Sequence, residues 1–440
     1  MAEAAGPDPA REVAAEAVAA AMAAGADAAE VFIRTGPAER LTWRGPGLVA
    51  EARGVHCEVL VRVWRAGRGL AVTTNAAGPR LSEVAAAAVA AARSDGQEQT
   101  PCLREGPADL LFPLPAPPGE EPASLAGALA EVAALPGLRG AQLTAVSTRG
   151  RQWSVLATSL GVSAAYETVQ ELAWLWADWR LARLGEAASG AGAEGVLAAG
   201  RRLAGLAALM GGEPGRPPAG SPGVLLAPAA AAHVARSLGG LLSGDGVARA
   251  LRARMRGRDV RIASADLDLT DAPRRPGGMR TRPIDDEGTP TRDVPLLRAG
   301  RLVGLLHTLR SARDAGEPPT GSAHRPALWR SPAAGPANVR IEPGTERPDD
   351  LRLAMGSGIE VVGVGRPGRI QDGTGNFTLA AHGWLVEGGE RTGPLLGVPL
   401  SANVFELLRA VRARGDDLTH VALADGAGAP SLLLDRMRVG

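Results

Sequence analysis

The side chains that could carry hydrolytic chemistry are few. The chain has six histidines, His56, His233, His307, His324, His382 and His420, and two cysteines, Cys57 and Cys102. A zinc-hydrolase helix sets two histidines on one face with a glutamate beside the first, so that ligands and general base point the same way. None of the six is followed by Glu, and no two lie within two helical turns of each other. His233 lies in an Ala-rich stretch and is followed by Val234, which marks a packing or surface residue. No Gly-x-Ser-x-Gly elbow occurs, so an exposed serine nucleophile has no support. Cys57 alternates with valines and reads as buried, and Cys102 follows Pro101 in a proline-rich stretch. Two acidic clusters, Asp285-Asp286-Glu287-Gly288 and Asp266-x-Asp268-x-x-Asp271, offer oxygen ligands for a hard cation, but both lack the order of a calcium loop and read as solvated turns.

Two further motifs are weaker. Gly363-Val-Gly365-Arg-Pro-Gly368 has the spacing of a dinucleotide loop, but Pro367, Asp372, Gly373 and Gly375 exclude the helix such a loop must open. Trp174 and Trp176 share one face of a strand, with Trp179 and Trp153 nearby, and suit either a core or a groove wall.

The elements that must position these groups follow from periodicity. An Ala-rich helix over 11–24 ends at Gly25. Strands are expected at 30–34, 48–51, 55–64 and 70–74, with Val55, Cys57, Val59, Val61 and Val63 on one face at period two. Ser82 opens a helix to Ala92, completing an αβββα module. The stretch 101–122 reads as a linker, 123–134 as a helix, and 140–148, 152–158, 162–172 and 174–180 as an antiparallel run. A helix is expected over 193–210, and the Gly/Pro-rich 211–222 is the best boundary. Beyond it come a short strand at 223–227, a helix at 228–242, and mostly strands (260–262, 294–298, 302–306, 339–341, 359–364, 377–385, 432–437) broken by helices at 348–355 and 403–413. The fold class is α+β, with N-terminal α/β modules followed by a β-rich, mostly antiparallel C-terminal domain. The expected domains are 1–100, 101–215 and 222–440.

Composition bounds the remainder. The 440 residues are 45% hydrophobic and 22% charged, as in an ordinary globular protein of two or three domains. A net charge of +1 gives no general attraction to nucleic acid or anionic membrane. Two cysteines are too few for a disulfide scaffold or a four-cysteine zinc site. No apolar run reaches the ~18 residues of a membrane span, and the N-terminus lacks the basic-then-apolar pattern of a secretory signal. The expectation is a soluble cytoplasmic protein without nucleic-acid or membrane partners.

In order along the chain, several short motifs together resemble the TldD/PmbA family. They are Gly25-Ala-Asp-Ala-Ala-Glu30, Arg53-Gly54-Val55 through Val63, Gly69 to Thr74, Ser159-Leu-Gly161, Ile284-Asp-Asp-Glu-Gly-Thr-Pro290, Leu297 to Leu302, Thr308 to Gly316, Thr320-Gly321, Asn338 with Ile341-Glu-Pro-Gly344, Gly375-Asn-Phe377 with Gly383, and Ser401-Ala-Asn403. The family is also described as modulators of DNA gyrase and as metallopeptidases. The resemblance implies two kinds of subunit. The TldD kind carries a His-Glu-x-x-x-His helix after a Gly-Val-Leu-Leu strand, and a C-terminal cysteine, taken together to bind zinc. The PmbA or TldE kind lacks them and pairs with it. Here Gly223-Val-Leu-Leu226 and Gly244-Asp245 are present, but the helix between has no His-Glu pair and Asp425 to Pro430 has no Cys.

The resemblance therefore implies a PmbA/TldE-like subunit with no catalytic residue, metal or cofactor of its own. Zinc is expected in a TldD-like partner, and the pair would be a heterodimeric peptidase enclosing a chamber for unfolded or short peptides, in peptide maturation or general turnover. This chain would shape the chamber and take peptide by strand addition, at Gly375, Asn376 and Phe377. Two rival readings are an independent enzyme using Asp285, Asp286 and Glu287, and a non-catalytic peptide-binding homodimer.

Overall fold

The computed structural model describes residues 7–45, 47–75, 80–98, 101–105, 108–112, 122–179, 183–189, 192–210, 213, 215–244, 260–366 and 375–439. The N-terminal half is built on one long sheet. Helix α1 (Pro7–Ala23) leads into β1 (Ala28–Arg44), β2 (Gly47–Arg65) and β3 (Arg68–Thr74), then α2 (Arg80–Asp95), as the expected αβββα module. After β4 (Gln97–Glu98) and β5 (Ala108–Phe112) come α3 (Pro122–Ala133), β6 (Gln142–Thr158), β7 (Val162–Asp178), β8 (Arg183–Ser189) and α4 (Gly192–Leu206). The strand order is β4-β3-β2-β1-β6-β7-β5, with β8 also on β7.

Two corrections concern strand continuity. The pairs read as separate strands at 48–51 and 55–64, at 140–148 and 152–158, and at 162–172 and 174–180, are single strands, β2, β6 and β7; residue 180 lies outside the described residues. Gly150 does not break β6, because the β1 backbone passes so close that a Cβ there would sit 2.7 Å from the Pro37 carbonyl oxygen. The stretch read as a linker contains β5, which pairs in parallel with β7; residues 106–107 and 113–121 of it lie outside the described residues. Strand β1 pairs with β6 from Glu30↔Thr158 to Arg44↔Thr144, so residues either side of position 100 share one sheet.

Alternation along the strands gives this sheet two different faces. Val31, Ile33, Val59, Val61 and Val63 point one way, onto Ala14, Ala17 and Ala21 of α1 and Ala85, Ala88 and Ala92 of α2. Small alanines let both helices lie close to the sheet. Further along, Leu41, Leu143, Leu175 and Ala177 bury against Leu129 and Val132 of α3 and Val196 and Leu203 of α4. Val55, expected on the buried face, is 45% exposed and stands outside the cluster that packs on α1 and α2. The opposite face carries Phe32, Leu60, Leu156, Ala164 and Tyr166, which bury with Ile284 and Leu328 of the C-terminal half. Burial of one such large side chain contributes about 2–3 kcal/mol to holding the halves together.

The C-terminal half is β-rich. It runs β9 (Gly223–Leu226), α5 (Pro228–Leu241), β10 (Leu269–Asp271), β11 (Val294–Arg298), β12 (Arg301–Leu302), α6 (Leu309–Ala315), β13 (Ala323–His324), β14 (Ala333–Ala334), β15 (Val339–Ile341), α7 (Pro348–Met355), β16 (Gly358–Arg366), β17 (Asn376–Glu387) and β18 (Glu390–Asn403). It ends with α8 (Val404–Arg409), β19 (Val411–Arg414), β20 (Thr419–Val421), β21 (Ala427–Ala429), β22 (Leu432–Leu434) and β23 (Arg438–Val439). Two larger sheets, ordered β12-β11-β10-β15-β21-β20 and β19-β22-β9-β16-β17-β18-β23, are mainly antiparallel. Helix α5 and both sheets share one core, including Leu226, Leu238, Leu269, Ile341, Val361 and Leu434. The whole is α+β, as expected.

The expected helix at 403–413 stops at Arg409. The chain then enters β19, whose Val411 is buried and pairs with Leu434. Helix α6 was not expected as a helix; Thr308 caps it by accepting from the Ser311 amide, and Gly316 closes it at φ 69. Strand β18 was also missed. Its Pro394 and Pro399 argue against a strand, yet they are tolerated because β18 meets only the two residues of β23 on its outer side.

Candidate functional site

Two places in the fold gather the chemistry-bearing residues. The first lies where the N-terminal sheet meets the 284–290 loop. Asp285, Asp286 and Glu287 were read as solvated turns, but all three are buried. The reason is that protein groups replace water around them. Asp285 accepts from the amides of Glu287 (3.0 Å), Thr289 (2.8 Å) and Ala323 (3.0 Å). Asp286 accepts from the Arg325 amide at 2.6 Å and pairs with Arg34 at 3.0 Å and Arg282 at 3.3 Å. Glu287 accepts from the Leu309 amide at 2.7 Å, at the start of α6.

Neighbouring charge sets their protonation. Burial alone would raise Asp286, but Arg282 and Arg34 outweigh it and hold the carboxyl below its usual range. Burial pushes Asp285 up to about 6, against the pull of Arg282 and its amide donors. Burial, then the adjacent Asp285 charge, pushes Glu287 up to about 8, so it holds its proton at neutral pH. Next to them Glu30 of β1 accepts from the Arg325 guanidinium and lies 3.6 Å from Arg62. Arg62 lies over the Trp64 ring at 4.7 Å. Arg104 donates to the Gly288 carbonyl at 2.6 Å. Every polar contact named here is internal, and several join the two halves. The cluster is therefore a buried clamp between halves, and none of its carboxylates is presented to a substrate.

The second place is the face of α5 toward the C-terminal segment, where the resemblance locates the metal of the other subunit kind. Helix α5 packs on β21 and β15, and its Ala230, Ala231, Ala232 and Ala235 are buried in the core shared with those strands. Ala427 and Ala429 of β21 are fully buried in the same core. The carboxylate here is Asp425, at φ 54 closing a short 3-10 turn, Ala422–Ala424. It is held by Arg236 of α5 at 3.0 Å and by Arg280 at 3.3 Å. Those two guanidinium groups outweigh burial and hold Asp425 below its usual range. His233, on the same helix, is pushed down to about 4 by burial and stays neutral. Both cysteines lie in the N-terminal half. A zinc ion needs three or four His, Cys, Asp or Glu donors converging at about 2 Å. Among the described residues no group of three or more such side chains could hold a metal. The residues at α5 and β21 thus do not fit zinc.

The remaining candidates are dispersed. Asp271 is buried, accepts from the Ala337 amide at 2.9 Å and is raised by burial to about 6, while Asp268 accepts from the Ala299 amide at 2.6 Å. Gly375 is buried at φ 79 beside Val404 and Phe405. Asn376 is exposed, and its side-chain oxygen accepts from Asn403 at 2.9 Å. Phe377 is 6% exposed and belongs to the C-terminal core. Gly363 and Gly365 lie in β16; residues 367–374 of that loop, and Asp245, lie outside the described residues. Trp179 packs against the α3/α4 core and Trp153 is buried. Trp174 and Trp176 stack at 6.2 Å and 7°, half-buried, on the sheet face away from α3 and α4. Sequence reasoning missed Glu30, Arg62, Arg325 and the Arg236–Asp425–Arg280 triad. Their partners lie up to 295 residues away, and no local spacing signals them.

An N-terminal helix-backed sheet clamped onto a C-terminal half of two mainly antiparallel sheets defines a two-part architecture shared with solved structures. TldE from Thermococcus kodakarensis has a TM-score of 0.82 at 18% identity, covering 96% of this chain and 98% of that one. A Thermotoga maritima protein named as a candidate modulator of a DNA gyrase has a TM-score of 0.80 at 20% identity, covering 98% and 99%. These likenesses establish the fold alone. In sequence, "Metalloprotease slr0863" of Synechocystis is 29% identical over 191 residues, 41% of each chain. The matched stretch thus spans about two fifths of that relative. The family profile described as "PmbA/TldA metallopeptidase C-terminal domain" matches residues 219–440. The chain belongs to the PmbA/TldD family.

Proposed function

We propose that this chain is the PmbA/TldE-like, non-metal-binding partner subunit of a TldD/TldE-type heterodimeric peptidase, working in the cytoplasm on unfolded or short peptides. The observation that carries the reading is the Arg236–Asp425–Arg280 triad. It stands between α5 and β21, where the other kind of subunit is expected to hold its zinc. A guanidinium pair on Asp425 repels a cation and commits that carboxylate to an ion pair within the chain. The chain would supply part of the chamber wall, and zinc would come with a TldD-like partner carrying His-Glu-x-x-x-His. Gly375, Asn376 and Phe377 remain the proposed peptide-contact segment. Asn376 is its exposed member, and Phe377 would act through its backbone, since its ring is in the core.

Co-expression of this chain with a zinc-helix subunit, followed by size exclusion and cleavage of an unstructured peptide, tests the proposal. The expected result is a stable complex that cleaves only when both chains are present. Absence of both a complex and partner-dependent cleavage overturns it.

A further inference from the structure

Asp425 uses only part of the two guanidinium groups that hold it. Arg236 reaches its Oδ2 through Nε and Arg280 reaches the same oxygen through Nη2, at 3.0 and 3.3 Å. A guanidinium carries five N–H donors in a rigid fork that suits both oxygens of a carboxylate. No other ion pair or side-chain hydrogen bond of Arg236 or Arg280 occurs among the described residues. The side chains also stay open to solvent, at 23% for Arg236, 38% for Arg280 and 40% for Asp425.

Packing fixes the pair from both sides. Arg236 stands on α5. The Arg280 amide donates to Oδ1 of fully buried Asn338 at 3.1 Å, and Asn338 donates in turn to the Ala272 carbonyl and to Thr281. Gly426, at φ 79, lets the 280 loop close on the turn, since a Cβ there would lie 2.7 Å from that of Met279. Two like charges are thus held at one oxygen. Burial pulls the Arg280 pKa down and Asp425 pulls it up, but Arg236 and Arg282 oppose Asp425, and the net direction is down. The other carboxylates nearby are spent elsewhere, Asp286 on Arg34 and Arg282, and Asp271 on the Ala337 amide. We propose that Arg236 and Arg280 together bind the C-terminal carboxylate of a peptide, through the N–H edges that Asp425 leaves free. The assignment rests on the partner-subunit reading, which sets short peptides against this chain. The triad carries one positive charge in excess, which a single carboxylate neutralises. A C-terminal carboxylate is the one such group that every peptide carries whatever its sequence.

Calorimetric titration of the purified full chain alone, with an N-acetylated unstructured peptide lacking Asp and Glu, tests this. The free acid is expected to bind on the order of tenfold tighter than the C-terminal amide. Arg236→Gln and Arg280→Gln are each expected to shrink that preference below about threefold, with thermal unfolding showing that the chain still folds. Asp425→Asn suits the left-handed backbone there (φ 54) and frees both forks, so the free acid is expected to bind tighter than to wild type. A purely structural triad predicts the opposite sign. Equal binding of acid and amide overturns the proposal, as does no binding of either. So does a preference that survives both arginine substitutions, or weaker binding to Asp425→Asn. If one Glu placed in the amidated peptide restores affinity as fully as the free C-terminus, the pair reads acidic side chains and the proposal falls. Loss of the preference alongside partner-dependent cleavage sinks this assignment and leaves the subunit reading standing. A preference in a chain that forms no complex with a zinc-helix subunit does the reverse.

Discussion

Replacing Glu30 by Ala removes the carboxylate at the centre of the clamp between the two halves. Its side chain is 2% exposed, that of Arg325 is fully buried, and that of Arg62 is 10% exposed. The substitution leaves two guanidinium groups with little access to water. At an effective dielectric of about 20, charges 3.6 Å apart, the Glu30–Arg62 distance, attract by roughly 5 kcal/mol before desolvation is counted. Removing one member of a buried ion pair typically costs about 3–5 kcal/mol. The expected loss for Glu30→Ala is therefore about 3–5 kcal/mol of unfolding free energy, read by urea denaturation. Intrinsic fluorescence is a suitable probe, since Trp64 lies directly under Arg62. Hydrogen exchange should rise first at 284–290 and 320–328, which the clamp holds. Glu30→Met combined with Arg62→Met and Arg325→Met removes all three charges, so that neither guanidinium is orphaned, and should cost less than half as much. A loss below about 1 kcal/mol for Glu30→Ala, or a triple variant as damaged as the single, would refute the clamp.

Glu287 makes stability depend on pH. Its folded pKa is about 8, against 4.5 for the free side chain. A raised acid means that the folded chain keeps a proton the unfolded chain has lost. Stability therefore falls as pH rises from about 4.5 to about 8, the interval between the two values, with a slope that approaches about 1.4 kcal/mol per unit in the middle of that interval and fades through the folded pKa. Glu287→Gln keeps an acceptor for the Leu309 amide and should flatten that slope in a urea series; a slope unchanged by the substitution contradicts the assignment. Gly383→Ala places a Cβ 1.8 Å from the Glu360 carbonyl oxygen and should cost at least about 3 kcal/mol. Gly388→Ala, at φ 61 with open space around it, should cost only about 1–2 kcal/mol by thermal unfolding. Equal losses at both positions would refute the close-approach explanation.

Local signals revealed most elements of the fold. The period-two valines of β2, Ser82 before an Ala/Val run, and the Pro/Gly-rich stretch before Gly223 each rest on neighbours in sequence. The readings that went astray rest on distant neighbours. Gly150 resembles a strand break until β1 is placed beside it. Pro394 and Pro399 read against a strand unless β18 is known to run near a sheet edge. Asp285, Asp286 and Glu287 look solvated because nothing local shows that Arg34, Arg282 and the Ala323 and Leu309 amides converge on them. The site was legible mainly as absences, with no His-Glu pair and no C-terminal cysteine. What fills the space instead, Arg236 and Arg280 on Asp425, needed α5, the 280 loop and the β21 region brought together. Such long-range pairings leave no periodic trace in a single sequence.

The central claim is that this chain leaves metal chemistry to a partner. The most direct measurement is metal analysis of the chain purified alone and of its complex with a zinc-helix subunit, on the same preparations used for peptide cleavage. The expected result is no stoichiometric zinc and no cleavage for the chain alone, with about one zinc per heterodimer and cleavage by the pair, since one subunit of the two would supply the three protein ligands of a catalytic zinc and leave its fourth position open. Stoichiometric zinc with cleavage by the isolated chain would contradict it.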